Sequence, residues 1–175
     1  MFNASYCLLP IAYFCSMNYF ELFEIPVRIL VDKPAITKKY VELQKKYHPD
    51  FFVQENQAIQ EEALEKSSAI NKAMKIFKNT DATLKYVLEL KGMVEEEEKY
   101  PLPADFLMEV MELNENLSEN SKAAIEAFEN DIYADVKQLI ENYDDNKVSG
   151  EQLLKLKDYY YKKKYLQRIL ERLDG

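Results

Sequence analysis

Residues 33–50 read KPAITKKYVELQKKYHPD, an amphipathic segment that stops at a proline. Asp32 and Pro34 suit the cap and the first turn of an α-helix. The helix should end at His48, because Pro49 disfavours helical backbone in the residue before it. The spacing of one helical face is kept by four residues, namely Ile36, Tyr40, Leu43 and Tyr47.

Further helices are predicted on both sides of this segment. A short one covers Asn18–Phe23 and a long one runs from about Gln57 to Lys78. A third follows the turn at 79–81 and ends at Gly92, a residue suited to the position after a helix. No alternating Val, Ile or Thr segment is long enough to suggest a strand, so an all-α fold is predicted. Three more helices are expected at Ala104–Leu117, Ser121–Asn142 and Gly150–Leu173.

The chain is predicted to have two domains. Four glutamates at 95–98 are followed by Lys99-Tyr100-Pro101-Leu102-Pro103, a composition typical of a linker. We therefore expect an N-terminal domain over 17–92, a linker over 93–103 and a C-terminal domain over 104–175. Three antiparallel helices with short connections should pack as a bundle in the second domain.

Residues 1–16 are predicted to be an unstructured leader, or to precede the true start at Met17. They carry no charge, and their apolar part is shorter than the ~20 residues of a membrane span. The basic residues of a secretory signal or a mitochondrial presequence are missing. Cys7 and Cys15 are interpreted as two unrelated thiols in a reducing cytoplasm. We expect a cytoplasmic protein with no membrane partner; attachment of residues 1–16 to a membrane is the alternative.

The overall charge argues against nucleic acid as a partner. The chain has 31 acidic and 23 basic residues, a net charge of −8, and an acidic protein repels phosphate backbones. The single histidine lies far from both cysteines, so no metal site is predicted. No cofactor is expected either.

The tripeptide His48-Pro49-Asp50 is the sharpest functional signal. Pro49 stiffens the loop from which His48 and Asp50 project, and the Asp50 carboxylate suits an arginine of a partner. The preceding helix is locally basic and could attract an acidic protein surface. Its lysines are Lys38, Lys39, Lys45 and Lys46, against a single Glu42. Alternatively, His48 is an ordinary loop histidine and the lysines form a solvated face.

With its flanking helices, this region resembles a J-domain. The resemblance implies an antiparallel helical hairpin joined by the His-Pro-Asp loop, with a short helix at each end. In that family the tripeptide and the basic helix contact a DnaK/HscA-class chaperone ATPase and stimulate it. The carried-over chaperone-binding residues are His48, Pro49, Asp50, Lys38, Lys39, Lys45 and Lys46. Two positions depart from the pattern, because Phe51 and Leu84 stand where basic residues are common.

Other segments resemble the HscB family of J-domain co-chaperones. These are residues 18–23 (NYFELF), 67–73 (SSAINKA), 86–92 (YVLELKG) and 106–117 (FLMEVMELNENL). The resemblance covers about 17–173. It implies delivery of the iron–sulfur cluster scaffold protein to the ATPase, and so a role in iron–sulfur cluster assembly.

Residues 106–117 form a helix with two apolar faces. Phe106, Val110, Leu113 and Leu117 fall within about 60° of one another, which indicates a core stripe. The far side carries apolar residues edged by acids, which suits either a protein-binding surface or packing against another part of the chain. The HscB resemblance favours scaffold binding by Leu107, Met108, Met111, Glu112 and Glu115. Tyr159 on the last helix is the nearest match to a further aromatic contact, although it could also be core.

Two other functions are alternatives to scaffold delivery. A general J-protein serving unfolded clients is the main alternative, but no Gly/Phe-rich or zinc-binding module accompanies the hairpin. An enzyme using His48 and Asp50 is disfavoured, because neighbours on one loop rarely converge on a substrate and no nucleophile accompanies them. ATP should be bound by the partner, since the chain has no phosphate-binding loop.

Overall fold

The computed structural model of the protein describes residues 17–95, 98–115 and 121–174. Within these ranges it contains seven α-helices, one 3₁₀ turn and no strand, so the all-α prediction is confirmed. The elements are α1 Tyr19–Leu22, α2 Lys33–Tyr47, the 3₁₀ turn Pro49–Phe52, α3 Gln57–Phe77, α4 Thr80–Leu90, α5 Ala104–Glu115, α6 Ser121–Glu141 and α7 Gly150–Asp174. The predicted leader, residues 1–16, lies outside the described residues.

Side-chain caps explain where the first helices begin. Asn18 Oδ1 accepts from the Glu21 N–H at 3.0 Å, and the Glu21 carboxylate accepts from the Asn18 N–H at 3.0 Å. Asp32 caps α2 by accepting from the Ala35 N–H at 3.2 Å. The helix α2 ends at His48, which has an extended backbone (φ −66°, ψ 128°) before the proline.

The chain divides into two compact units, and the first comprises described residues 17–27 and 31–79. Helices α2 and α3 form an antiparallel hairpin in it. Tyr40 and Gln44 of α2 both donate to Asn71 of α3 at 2.9 Å. Tyr47 lies later in α2, and its ring centre is 4.8 Å from the Nζ atom of Lys66, which lies earlier in α3.

An aromatic core holds α1 against this hairpin. The Phe77 ring lies 4.9 Å from the Phe20 ring and 5.3 Å from the Phe23 ring, between centroids. All three rings are almost completely buried. Burial of these rings supplies much of the stability of a unit this small.

The second compact unit comprises residues 28–30 and the described residues from 80 onward. Helices α6 and α7 run antiparallel, because Glu129 pairs with Lys163 while Tyr133, later in α6, contacts Tyr159, earlier in α7. Helix α5 completes the three-helix packing. The core shared by α5, α6 and α7 consists of Phe106, Val110, Ile125 and Leu166.

Helix α4 belongs to this second unit, whereas the sequence analysis assigned residues 80–92 to the N-terminal domain. Near its start, Asp81 forms an ion pair with Lys163 of α7, with 2.8 Å between Asp81 Oδ1 and Lys163 Nζ. Just beyond its end, Lys91 pairs with Asp145 at 2.7 Å. Burial alone would lower the pKa of Lys163, but its contacts with Asp81, Tyr159 and Glu129 raise the pKa above the ordinary lysine value. These long-range pairs group α4 with the bundle.

The segment predicted as a linker is bound to α7 rather than free. Its described part contains no helix, but Glu98 binds Lys157 and accepts from the Tyr161 hydroxyl at 3.1 Å. The Tyr100 ring stacks on Tyr161 with a centroid distance of 4.6 Å, and its hydroxyl donates to Asp158 at 3.1 Å. Burial and the bond to Glu98 raise the pKa of Tyr161 to about 12. We call residues 98–100 and their partners on α7 the Tyr100 clamp.

Candidate functional site

The tripeptide predicted from the sequence forms a rigid, exposed corner at the end of α2. The Asp50 N–H donates to His48 Nδ1 at 3.3 Å, which leaves Nε2 to carry the proton of a neutral ring. An Asp50 carboxylate oxygen lies 3.6 Å from Nδ1. The His48 side chain is 47% exposed and that of Asp50 81% exposed, so both can reach a partner. Pro49 begins the 3₁₀ turn that fixes this geometry.

Two of the predicted lysines share one face of α2, and one of them lies beside the tripeptide. Lys38 and Lys45 are seven residues apart, which returns to within about 20° of the same direction, and Lys45 lies within one turn of His48. Both side chains are exposed, and neither makes an ion pair with any residue that the structure describes. Val41 lies between them on the same face. Lys46 is also exposed, with its ammonium 5.0 Å from the Tyr47 ring centre.

Lys39, by contrast, is tied into the fold. Its ammonium pairs with Glu24 at 2.7 Å and with Glu42 at 3.3 Å, and its side chain is only 17% exposed. Burial alone would lower the pKa of Lys39, but the bonds to Glu24 and Glu42 raise it. Glu24 has a left-handed backbone (φ 54°), and its N–H donates to the Glu21 carbonyl at 3.0 Å. Lys39 therefore connects α2 to the end of α1, and little of its charge faces outward.

Exposed apolar residues beside the tripeptide were missed by the sequence analysis. Phe51 is 68% exposed, Val53 66% and Val41 45%. The Phe51 ring stands edge-on to the His48 ring at 5.9 Å. Together with α2 it forms a groove of about 360 Å³, lined by Tyr40, Val41, Gln44, Lys45, His48, Asp50 and Phe51. The signal in the sequence is Phe51 itself, which the J-domain pattern marks only as the absence of a basic residue. The other departure, Leu84, is buried and carries no surface role.

Helix α5 has the two faces that its periodicity predicts. Phe106 and Val110 are buried in the bundle core, and Leu113 is partly buried. Met108 and Met111 are 56% and 59% exposed on the other side. Leu117 lies outside the described residues.

The remaining predicted scaffold-binding residues have different surroundings. Leu107 is partly buried and packs against the core cluster, while Glu112 is exposed. Glu115 is the last residue of α5, and its side chain lies outside the described residues.

Tyr159 lies inside the bundle. It is 4% exposed, and its ring is 6.1 Å from the Tyr133 ring of α6. Burial raises the pKa of its phenol. Tyr165, also on α7, does contact α5: its ring stands edge-on to the Phe106 ring, with 6.0 Å between centroids. Tyr159 therefore fits the core alternative that the sequence left open.

The described residues contain no group of three or more His, Cys, Asp or Glu side chains that could hold a metal ion. Nor does any helix in this part of the chain have the length and apolar character needed to cross a bilayer. The described residues present two exposed surfaces suited to contact with a protein, namely the His48-Pro49-Asp50 corner at the end of α2 and the apolar outer face of α5.

Comparison with known proteins establishes the family. Residues 102–174 match the family model of the HSCB C-terminal oligomerisation domain. A co-chaperone protein HscB homolog of Pseudoalteromonas atlantica is 33% identical over 130 residues, which cover 71% of this chain and 74% of that protein. The chain belongs to the HscB co-chaperone family. Another HscB homolog, from Psychromonas ingrahamii, is 39% identical over 103 residues, 58% of this chain and 61% of that relative's length.

Solved HscB structures share the fold. The human co-chaperone protein HscB superposes with a TM-score of 0.72 at 26% identity, covering 91% of this chain and 81% of that one. Chaperone HscB from Vibrio cholerae gives a TM-score of 0.62 at 26% identity, covering 90% and 96% respectively. The sequence relatives are named as co-chaperones, and their names indicate no catalytic activity.

Proposed function

We propose that this HscB-family protein stimulates a DnaK/HscA-class chaperone ATPase and delivers the iron–sulfur cluster scaffold protein to it, and so promotes iron–sulfur cluster assembly in the cytoplasm. The observation that carries the proposal is the exposed corner of His48, Pro49 and Asp50, at the end of a helix face whose Lys38 and Lys45 form no ion pair with a described residue, in a chain of this family. On this proposal the N-terminal helices form a J-domain.

The chemistry of the corner suits a contact with a protein surface. Asp50 offers an exposed carboxylate for an arginine or for backbone N–H groups, and His48 offers its Nε2–H as a donor. Lys38 and Lys45 can steer an acidic surface toward the corner although the whole chain carries a charge of −8. Lys46 supports this attraction, whereas Lys39 contributes mainly by holding α2 in place.

The outer face of α5 is the proposed scaffold-binding surface. Met108 and Met111 are flexible apolar side chains that adapt to a partner, and Glu112 gives the face an acidic edge. Leu107 contributes only the part of its side chain left outside the core, and Glu115 remains a predicted contact. We leave the buried Tyr159 out of this surface.

Binding both partners would bring the scaffold to the ATPase at a raised effective concentration. No nucleic acid, membrane or cofactor enters the proposal. ATP would be bound and hydrolysed by the partner, and this chain would act through its contacts with that partner.

Steady-state ATP hydrolysis by the cognate chaperone tests the proposal, with this protein and the scaffold added singly and together. We expect stimulation by this protein alone and a larger, synergistic stimulation with the scaffold. His48→Gln should abolish the stimulation and leave scaffold binding unchanged, because the imidazole lies on the surface and supports no core contact. A double variant of Met108 and Met111 is the matched control, since it should keep the stimulation by the protein alone and lose the synergy.

Each outcome has a distinct meaning. Stimulation that survives His48→Gln would contradict the proposed J-domain. Stimulation without any scaffold effect would retain that domain and favour a general J-protein delivering unfolded clients.

A further inference from the structure

The groove beside the tripeptide is lined by apolar as well as charged side chains, although the proposed function assigns only ionic and polar contacts to this surface. Phe51 and Val41 form its apolar walls, while Lys45 and Asp50 provide charge at its edge. Phe51 immediately follows the tripeptide, and 68% of its surface is exposed. Leaving a phenylalanine so exposed costs solvation free energy that burial in a partner would recover.

The surroundings of the groove define what can fill it. Along α2, Lys38 and Lys45 flank Val41 on the same face, and neither lysine is neutralised by a described residue. A matching surface therefore needs carboxylates spaced about two helical turns apart, with an apolar side chain between them. The volume of about 360 Å³ admits one large apolar side chain.

From this complementarity we infer that the groove receives an apolar side chain of the chaperone ATPase, presented between acidic residues, and that Phe51 helps to determine which ATPase the protein recognises. The inference rests on the proposed function and deepens it by adding an apolar specificity contact to the ionic one. Phe51 is one of the residues that line the groove, and its exposed ring becomes buried on binding. A lysine at the same position would offer only an ionic contact, which salt weakens.

Substitutions at Phe51 separate this contact from the orientation of His48. Phe51→Ala removes the apolar wall and the edge contact with His48, whereas Phe51→Leu removes the aromatic contact and keeps most of the apolar wall. If Phe51 docks into the ATPase, the half-saturating concentration for stimulation should rise about tenfold with alanine and less than about threefold with leucine. Maximal stimulation should stay within about twofold of the wild type in both, because His48, Pro49 and Asp50 are retained.

The matched control is Leu64→Ala. Leu64 is 61% exposed on α3 in the same compact unit and does not line the groove, so its loss should leave the half-saturating concentration unchanged. Phe51→Lys tests the chemistry of the contact. Its half-saturating concentration should rise more steeply with added NaCl than that of the wild type, because a cation replaces an apolar side chain.

The measurement is ATPase stimulation as a function of co-chaperone concentration, with one DnaK-type and one HscA-type chaperone. A change in the ratio of half-saturating concentrations between the two chaperones on Phe51→Ala would support a role in partner choice. If the wild type stimulates but Phe51→Ala matches it with both chaperones, this inference fails and the proposed function stands. Equal loss of maximal stimulation in the alanine and leucine variants would also overturn it, since Phe51 would then only orient His48. If the wild type stimulates neither chaperone, the proposed function fails first.

Discussion

Replacing both exposed methionines of α5 with glutamine is expected to weaken scaffold binding without destabilising the fold. Met108 and Met111 are 56% and 59% exposed, so their side chains contribute little to the core. Glutamine has nearly the same helix propensity as methionine, so the helix itself should be unaffected. We expect the free energy of unfolding to change by less than about 0.5 kcal/mol per substitution.

The effect on binding follows from the exposed fraction. Complete burial of a methionine side chain is worth about 1.5–3 kcal/mol, and just over half of each side chain remains to be buried by a partner. Each methionine can therefore contribute about 1–1.5 kcal/mol to binding. Loss of both should weaken scaffold affinity roughly 30- to 150-fold, if most of that surface is covered in the complex.

Phe106→Ala on the opposite face of the same helix is the contrasting variant. Phe106 is 4% exposed, and its ring lies 5.6 Å from the Phe128 ring and 6.0 Å from the Tyr165 ring. Its truncation should lower the free energy of unfolding by about 3–5 kcal/mol. That is a large share of the ~5–15 kcal/mol that stabilises a typical domain.

Urea unfolding followed by circular dichroism and isothermal titration with the scaffold protein would measure both quantities for each variant. A loss of stability above about 1 kcal/mol in the methionine double variant would refute the assignment of an outer face. Unchanged stability together with unchanged scaffold affinity would leave the two faces intact and remove the scaffold from the outer one. An unaltered free energy of unfolding in Phe106→Ala would contradict the core.

Two further predictions concern the aromatic core and the Tyr100 clamp. Phe77→Ala should lower the free energy of unfolding by about 3–5 kcal/mol, because it empties the space between two buried rings. Leu64→Ala, at an exposed position, should change the free energy of unfolding by less than about 0.5 kcal/mol. Equal losses of stability in the two variants, measured by urea unfolding, would contradict this core. The raised pKa of Tyr161, about 12, means that its contribution to stability is complete below the ordinary phenol pKa of 10.0 and is lost as the pH rises from there through about 12. Glu98→Gln should move the Tyr161 phenol toward 10.0 in an ultraviolet titration, and an unmoved titration would show that Glu98 does not cause the shift. The lowered pKa of Glu98 acts in the opposite direction, because its contribution is complete above the ordinary value of 4.5 and is lost as the pH falls through the folded value.

Helix positions could be predicted because their determinants are local. Asp32 begins α2 and Pro49 ends it, and the stripe through Ile36 and Leu43 fixes which face is buried. The same holds for α5, where Phe106 and Val110 predict the core side. In each case the relevant residues lie within a few turns of one another, so their spacing is visible in the sequence.

The grouping of α4 and the attachment of residues 98–100 could not be predicted in this way. Asp81 meets Lys163, and Glu98 meets Lys157, across separations of 82 and 59 residues along the chain. Four glutamates followed by prolines have the composition of a linker, and their partners on α7 are ordinary lysines and tyrosines. Charge and aromatic content supply many possible partners, and only the fold selects among them.

Whether an individual side chain on a predicted surface is exposed or paired also depends on its neighbours in space. Lys38 and Lys39 are adjacent in the sequence and were given the same role, but Lys38 is exposed whereas Lys39 pairs with Glu24 in the turn after α1. The exposure of consecutive residues such as His48-Pro49-Asp50 can be predicted from the sequence, because a proline and a helix end determine it locally. This is why the tripeptide could carry a functional hypothesis from the sequence, while the charge that surrounds it had to be assigned lysine by lysine from the structure.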